Sequence, residues 1–262
     1  MDKVPIVVHK AALAALSPSL SALMSGEMPT SLAGEATWED VDKETFARFT
    51  QFAYLENYSV PEMIIKVEQH QEPQIPDSPT DDCWGRPGPT AGKKKAARGL
   101  SPSPPPPRQL FSSLSYNVKT QSKFAGTFEP IINTTSNENS TENVSEILLV
   151  HASLYVLGEK WGVEKLKTIA LSKLNRTLCD VPREALDIQH IVKLTRYTYS
   201  DERTPDLING IDRLRELVCY YNTTIVKLSM KHSVFLAMIE EGGPFVKDFW
   251  QIAAPMIHAT FY

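Results

Sequence analysis

The glycine-rich run Gly88-Pro89-Thr90-Ala91-Gly92-Lys93-Lys94 is the nearest approach to a phosphate-binding loop. Such a loop has four residues between its glycines, a Ser or Thr after the lysine, and free backbone N–H groups aimed at the anion. Here three residues separate the glycines, a second lysine follows the first, and proline removes an amide proton, so no folded phosphate site is expected. The six histidines, His9, His70, His151, His190, His232 and His258, show neither the HExxH spacing nor any clustering with cysteine, so no metal ligands are expected. Cys83, Cys179 and Cys219 are odd in number and far apart, which suits neither a zinc site, a redox dithiol nor a secreted disulfide framework. No Ser/His/Asp or Cys/His signature is visible either. The sequence therefore predicts no catalytic residue, no cofactor and no enzyme. Phe46, Phe49, Phe52, Tyr155 and Trp161 are expected in the core and not around a ligand.

Charge is the remaining candidate for chemistry. From Arg86 to Lys123 there are eight basic residues and no acidic one, with Lys93, Lys94, Lys95 and Arg98 closest together. A flexible basic tract can bind nucleic acid or other polyanions in a salt-dependent way. A solvated linker explains the same run more simply. The adjoining SPSPPPPR favours extended polyproline II, and Pro104 with Pro107 has the PxxP spacing, although Arg108 follows Pro107 directly, without the residue that usually intervenes. Ser78, Ser101 and Ser103 each precede a proline, and phosphorylation there would add negative charge to the tract.

The elements that would have to carry any site lie on either side of this tract. The chain has 262 residues, 27 basic and 31 acidic side chains, a net charge of -4 and 42% hydrophobic residues, the composition of an intracellular protein of one or two domains. His9 and Lys10 interrupt the first apolar run, which makes a poor signal peptide, and no stretch approaches the roughly 20 apolar residues of a membrane span. Eleven of the 19 prolines fall between residues 66 and 145, where large apolar residues are scarce. Ordering such a segment would cost about 1 to 2 kcal/mol per residue with little burial to offset it, so most of 66–145 is expected to be disordered, with SLSYNVK a candidate strand inside it. Before the tract, HKAALAALSPSLSALM predicts two short helices divided at Ser17-Pro18, with Gly26 and Pro29 ending the second. EATWEDV suits a short strand, and Asp42 suits the N-cap of a helix whose Phe46, Phe49, Phe52 and Ala53 share one face. After it, Ile147, Val150, His151, Leu154 and Trp161 line one helical face, and Leu166, Ile169, Ala170, Leu174 and Leu178 line the next. From Val181 onward the helical period continues, with Thr204-Pro205 as an expected helix start and Gly242-Gly243-Pro244 as a break.

In order and in residues, the chain resembles the BTB/POZ family, in particular its fungal branch. VVHKAALAALSPSLSALM resembles the family's strand, His-Lys pair and first helix pair. VDKETFARFTQFAYLENY resembles its acidic turn, Phe-rich helix and Tyr-ended loop, and LYVLGEKWGVEKLKTIALSKL its last helix pair. IVKLTRYTYSD and LRELVCYY are similar to the helical extension of fungal members. The resemblance covers about residues 4 to 65 and 146 to 262. It implies an α+β fold, mostly helical, with a small sheet and a carboxy-terminal helical bundle. It divides the chain into a first half of the domain (1–65), an insert (66–145), a second half (146–180) and a helical extension (181–262). Loop closure costs only about 0.6 kcal/mol per doubling of length, so such an insert is tolerable.

The resemblance also implies a function, protein–protein interaction with a partner not yet named. His9 would fix the turn between strand and helix. The family's first strand and its Asp are not found ahead of His9, which leaves Lys10 without its family partner and predicts at most a weak homo-oligomer, not a strand-swapped dimer. Family members that recruit cullin scaffolds carry a hydrophobic residue, any residue and an acid after the Tyr-containing loop, and Val60-Pro61-Glu62 has that spacing. Val60 and Glu62 are therefore the candidate cullin contacts. The alternative function is polyanion binding through Lys93, Lys94, Lys95 and Arg98.

Overall fold

In a computed structural model of the chain, residues 5–25, 36–61, 63–65, 132–134, 141–181, 187–200, 203–205, 207 and 210–260 are described. Local sequence explains most of the helix ends. α1 (Lys10–Ala14) stops before Ser17, and α2 (Pro18–Ser25) opens on Pro18, where no amide proton is needed. Ser17 Oγ accepts from Leu20 N at 3.2 Å, the expected cap. α3 (Lys43–Leu55) opens at Asp42, whose carboxylate accepts from Thr45 N at 2.8 Å. Phe49 and Phe52 of α3 are buried, and Phe46 and Ala53 are half-buried against the same core. Glu56 ends the helix in the left-handed region, at φ 53°, and the next two residues, Asn57 and Tyr58, are buried.

α4 (Thr141–Trp161) is the central element. α3, α5 (Glu164–Asp180) and α6 (Ile188–Tyr199) all pack on it, so it is apolar round most of its circumference. The turn into α5 is tight: a Cβ at Gly158 would lie 3.3 Å from Lys167 N and Val163 O, and Gly162 takes a φ of 66°. α7 (Arg213–Ser229), α8 (Ser233–Glu240) and α9 (Pro244–Thr260) complete the helical part. The break before α9 is as expected, with φ of 72° at Gly242 and 85° at Gly243. A single buried cluster runs from Leu13 to Ala253, so the early helices share a core with the late ones. Among the described residues, no helix is long and apolar enough to cross a membrane.

Several expectations need correcting. Residues 5–9 form no strand, since Pro5 offers no amide proton, Val7 is 98% exposed, and no neighbouring strand is present among the described residues to pair with them. Ala36 to Val41 is irregular as well, because Trp38 is held by rings and not by a ladder, 5.0 Å from Phe46 and 4.8 Å from Trp161. Two three-residue segments, β1 (Met63–Ile65) and β2 (Ile132–Thr134), pair in parallel, and this pair is the whole sheet among the described residues. Thr204 is not an N-cap: its hydroxyl donates to Thr198 O at 2.7 Å and accepts from Arg215 Nε at 2.6 Å. Asp212 caps α7 in its place, accepting from Leu214 N at 2.9 Å. The rest of the 66–145 segment up to Ser140, including SLSYNVK and apart from 132–134, lies outside the described residues.

One buried polar contact joins the segment after α3 to the central helix. Tyr58 Oη shares a hydrogen bond with His151 Nδ1 at 2.8 Å, and Lys173 of α5 donates to Tyr58 O at 2.7 Å while its ammonium lies 4.4 Å from the Tyr58 ring centre. Burial, with Lys173 and Arg48 adding to it, pushes the His151 imidazole down from 6.5 to about 3. In the unfolded chain the ring takes up its proton near pH 6.5, so below that pH the unfolded state binds more protons and stability falls with pH. The contribution is complete above pH 6.5 and is lost progressively down to about pH 3. Acidification from pH 6.5 to 5 should cost about 2 kcal/mol through this one ring. In urea titrations His151→Gln, though less stable at pH 7, should lack that component; equal slopes in the two proteins would mean that the folded ring is protonated.

Candidate functional site

α3 and α6 both lie against α4, and a groove of about 2080 Å³ is lined by residues of all three. Its floor is one stripe of α4, where Leu149, Ser153 and Val156 recur at helical spacing and are half-buried. One bank is the chain entering α3, with Glu39, Asp40, Asp42 and Glu44. The other is α6 and the residues after it, with His190, Lys193, Arg196 and Arg203. Thr45 Oγ1 and Ser153 Oγ, 3.1 Å apart, fasten the acidic bank to the floor.

A second bond ties the acidic bank to the floor, here through Lys160 of α4. Lys160 donates to Asp40 at 2.5 Å, and this bond chiefly holds the Asp40 carboxyl below its usual value, with a weaker pull from Arg203 on the opposite bank. Tyr197 is raised, by burial above all, while Arg203 and Asp42 act on it in opposite senses. Arg203 stacks on the Tyr197 ring, 5.0 Å from its centre. Two residues that line the groove, Ser145 and His190, each bury a polar atom, Oγ and Nδ1, with no hydrogen-bond partner among the described residues. Among the described residues no serine of the groove is paired with a base: Ser153 Oγ donates to Val150 O and Ser200 Oγ to Tyr197 O.

A second polar cluster lies behind α6. Tyr199 Oη donates to Asp248 at 2.9 Å and lies 3.0 Å from Cys219 Sγ, with the Arg215 guanidinium 4.8 Å from the Tyr199 ring centre. Its residue types are those of a reactive thiol site, but the electrostatics are opposite. Burial pushes the Cys219 thiol up to about 12, although the contact with the Tyr199 hydroxyl acts in the opposite sense. Arg215 itself is buried and bonds the Thr204 carbonyl at 2.7 Å. The cluster braces α6 against α7 and α9. Among the described residues no group of His, Cys, Asp and Glu is arranged to hold a metal ion.

The residues singled out by sequence lie elsewhere. Lys10 is exposed on the first turn of α1. His9 stands at the N-cap position of that helix without a side-chain cap bond; its backbone N–H donates to Tyr54 Oη at 2.8 Å, and its Nδ1 lies at the same distance from that hydroxyl. Val60 is half-buried and packs against the core, while Glu62, Lys93, Lys94, Lys95 and Arg98 lie outside the described residues. The groove was missed, although its signals were present: four acids between positions 39 and 44, and basic or imidazole side chains at 190, 193, 196 and 203.

Residues 1–71 match the BTB/POZ domain family. BTB/POZ domains are protein–protein interaction modules and generally non-enzymatic. The match takes in α1 to α3, and with them the acidic bank; it ends before α4, so the floor and the basic bank lie beyond the matched residues. No curated protein and no solved structure matches the chain.

The raised thiol leads to a direct check. At neutral pH, alkylation of the native protein followed by peptide mass spectrometry should leave Cys219 unmodified, with modification appearing only in denaturant. Rapid native labelling of Cys219 would show an accessible thiolate and reopen a catalytic reading.

Proposed function

We propose that this protein is a non-catalytic interaction module of BTB type, which receives a partner polypeptide in the groove between α3, α4 and α6. The carrying observation is the groove itself. Small-molecule sites typically measure about 300 to 1,000 Å³ and are mostly apolar, whereas this one is about 2080 Å³, open, and banked by charge. In the same reading α4 and α5 complete the domain begun by α1 to α3, residues 66–145 are an insert, and 181–262 are a helical extension. The Tyr58–His151 and Thr45–Ser153 bonds support joining the two halves. A photo-crosslinking residue at Val156, with one at the exposed Lys227 of α7 as control, tests the groove. The expected outcome is one protein captured from Val156 alone, whose recombinant form binds the parent but not Val156→Lys. Equal capture at both positions would count against the groove.

A second reading, docking to a cullin scaffold, is favoured by Val60 and Pro61, which keep part of their surface in solvent two and three residues after the buried Tyr58. The apolar side chain would enter a groove on the scaffold and Glu62 would meet a basic group. Calorimetry against a cullin amino-terminal domain should give micromolar or tighter binding that is lost in Val60→Ala/Glu62→Ala. Absence of heat from the parent protein would remove this reading. No observation on the described residues favours the polyanion alternative.

A further inference from the structure

We infer that the groove is built for a partner α-helix whose apolar stripe is flanked by a basic row on one side and an acidic row on the other. This rests on reading the groove as the interaction surface, and goes further by specifying the chemistry of what enters it. The two banks have opposite net sign: Glu39, Asp40, Asp42 and Glu44 outnumber Arg48 on the α3 side, and Lys193, Arg196 and Arg203 line the α6 side. A ligand of one sign would be attracted by one bank and repelled by the other. Only an occupant with charge of both signs, each confined to its own edge, is attracted by both.

The internal pairs of the banks do not prevent this. Asp40 pairs with Lys160, Glu44 with Arg48, and Arg196 with Glu241, but each pair has at least one exposed member and is weak in water. Glu39 and Lys193 form no ion pair among the described residues. All three can therefore exchange an intramolecular partner for one on the ligand at little penalty.

The floor selects a helix. Leu149, Ser153 and Val156 form a ridge along α4, the surface that a second helix meets by interdigitation. An extended peptide would need backbone partners along an edge, and floor and basic bank are helices whose interior amides and carbonyls are already bonded. From Glu146 to Lys160 the groove follows α4 for about 21 Å, the length of a partner helix of about 14 residues.

The test uses the full chain and a displayed library of 14-residue helix-forming peptides with randomised flanks. Selected peptides should carry Lys or Arg along one flank and Asp or Glu along the other. Binding should weaken at least tenfold on Lys193→Glu/Arg196→Glu and return when the acidic flank of the peptide is changed to lysine. Val156→Lys and Leu149→Lys, each checked for unchanged circular dichroism, should abolish binding. Peptides lost on those two variants but bearing flanks of a single sign would overturn this inference and leave the groove reading intact. Failure to recover any peptide that depends on Val156 or Leu149 would overturn both.

Discussion

Tyr58 and His151 meet in a part of the core where neither has access to water, and the position of the amino-terminal helices depends on that meeting. A buried phenol needs a partner for its hydroxyl, and a buried neutral imidazole needs one for each nitrogen. Tyr58 supplies Nδ1, and Thr177 of α5 lies 3.4 Å from Nε2. The segment leaving α3 is thus tied to α4 and α5 by directional bonds as well as by apolar packing. Sliding α3 by one turn would break the Tyr58 bond and leave buried polar atoms unsatisfied. The register of α3 on α4 is fixed in consequence, and with it the place of the acidic residues that precede α3.

The same economy of partners shapes the other side of α4. Tyr155 projects from the central helix and donates to Asp212 at 2.8 Å, the same carboxylate that caps α7. Asp212 therefore ends one helix start and anchors another helix at once. Arg215, one turn on, bonds both oxygens of Thr204. Thr204, between α6 and α7, is thereby held by a residue of the first turn of α7.

How much of this could be read from sequence depended on the range of the interaction. Ser17-Pro18, Asp42 and Gly242-Gly243-Pro244 act within a few residues, and each marks a helix end where expected. Thr204-Pro205 has an equally good local signature and failed, because Arg215, eleven positions away, engages the threonine hydroxyl that would have capped a helix. The Glu35–Val41 segment alternated like a strand, but Trp38 had better partners in Phe46 and Trp161. His151 was legible as a member of a buried helical face; its partner, 93 positions earlier, was not. The groove is the extreme case, since its banks and floor come from three separate stretches and only their packing makes them one surface.

The two banks differ in how they are held. The basic one is a helix clasped from behind, through Tyr199 on Asp248 and Phe245 and through the ion pair of Arg196 with Glu241 at the end of α8. The acidic one starts as irregular backbone from Ala36 to Val41, secured by Trp38 and by the exposed pair of Asp40 with Lys160. One side is thus held by helix packing from behind, the other by a stack of rings and the cap at Asp42. Loss of the Trp38 ring would therefore disturb the acidic side of the groove and leave the basic side in place.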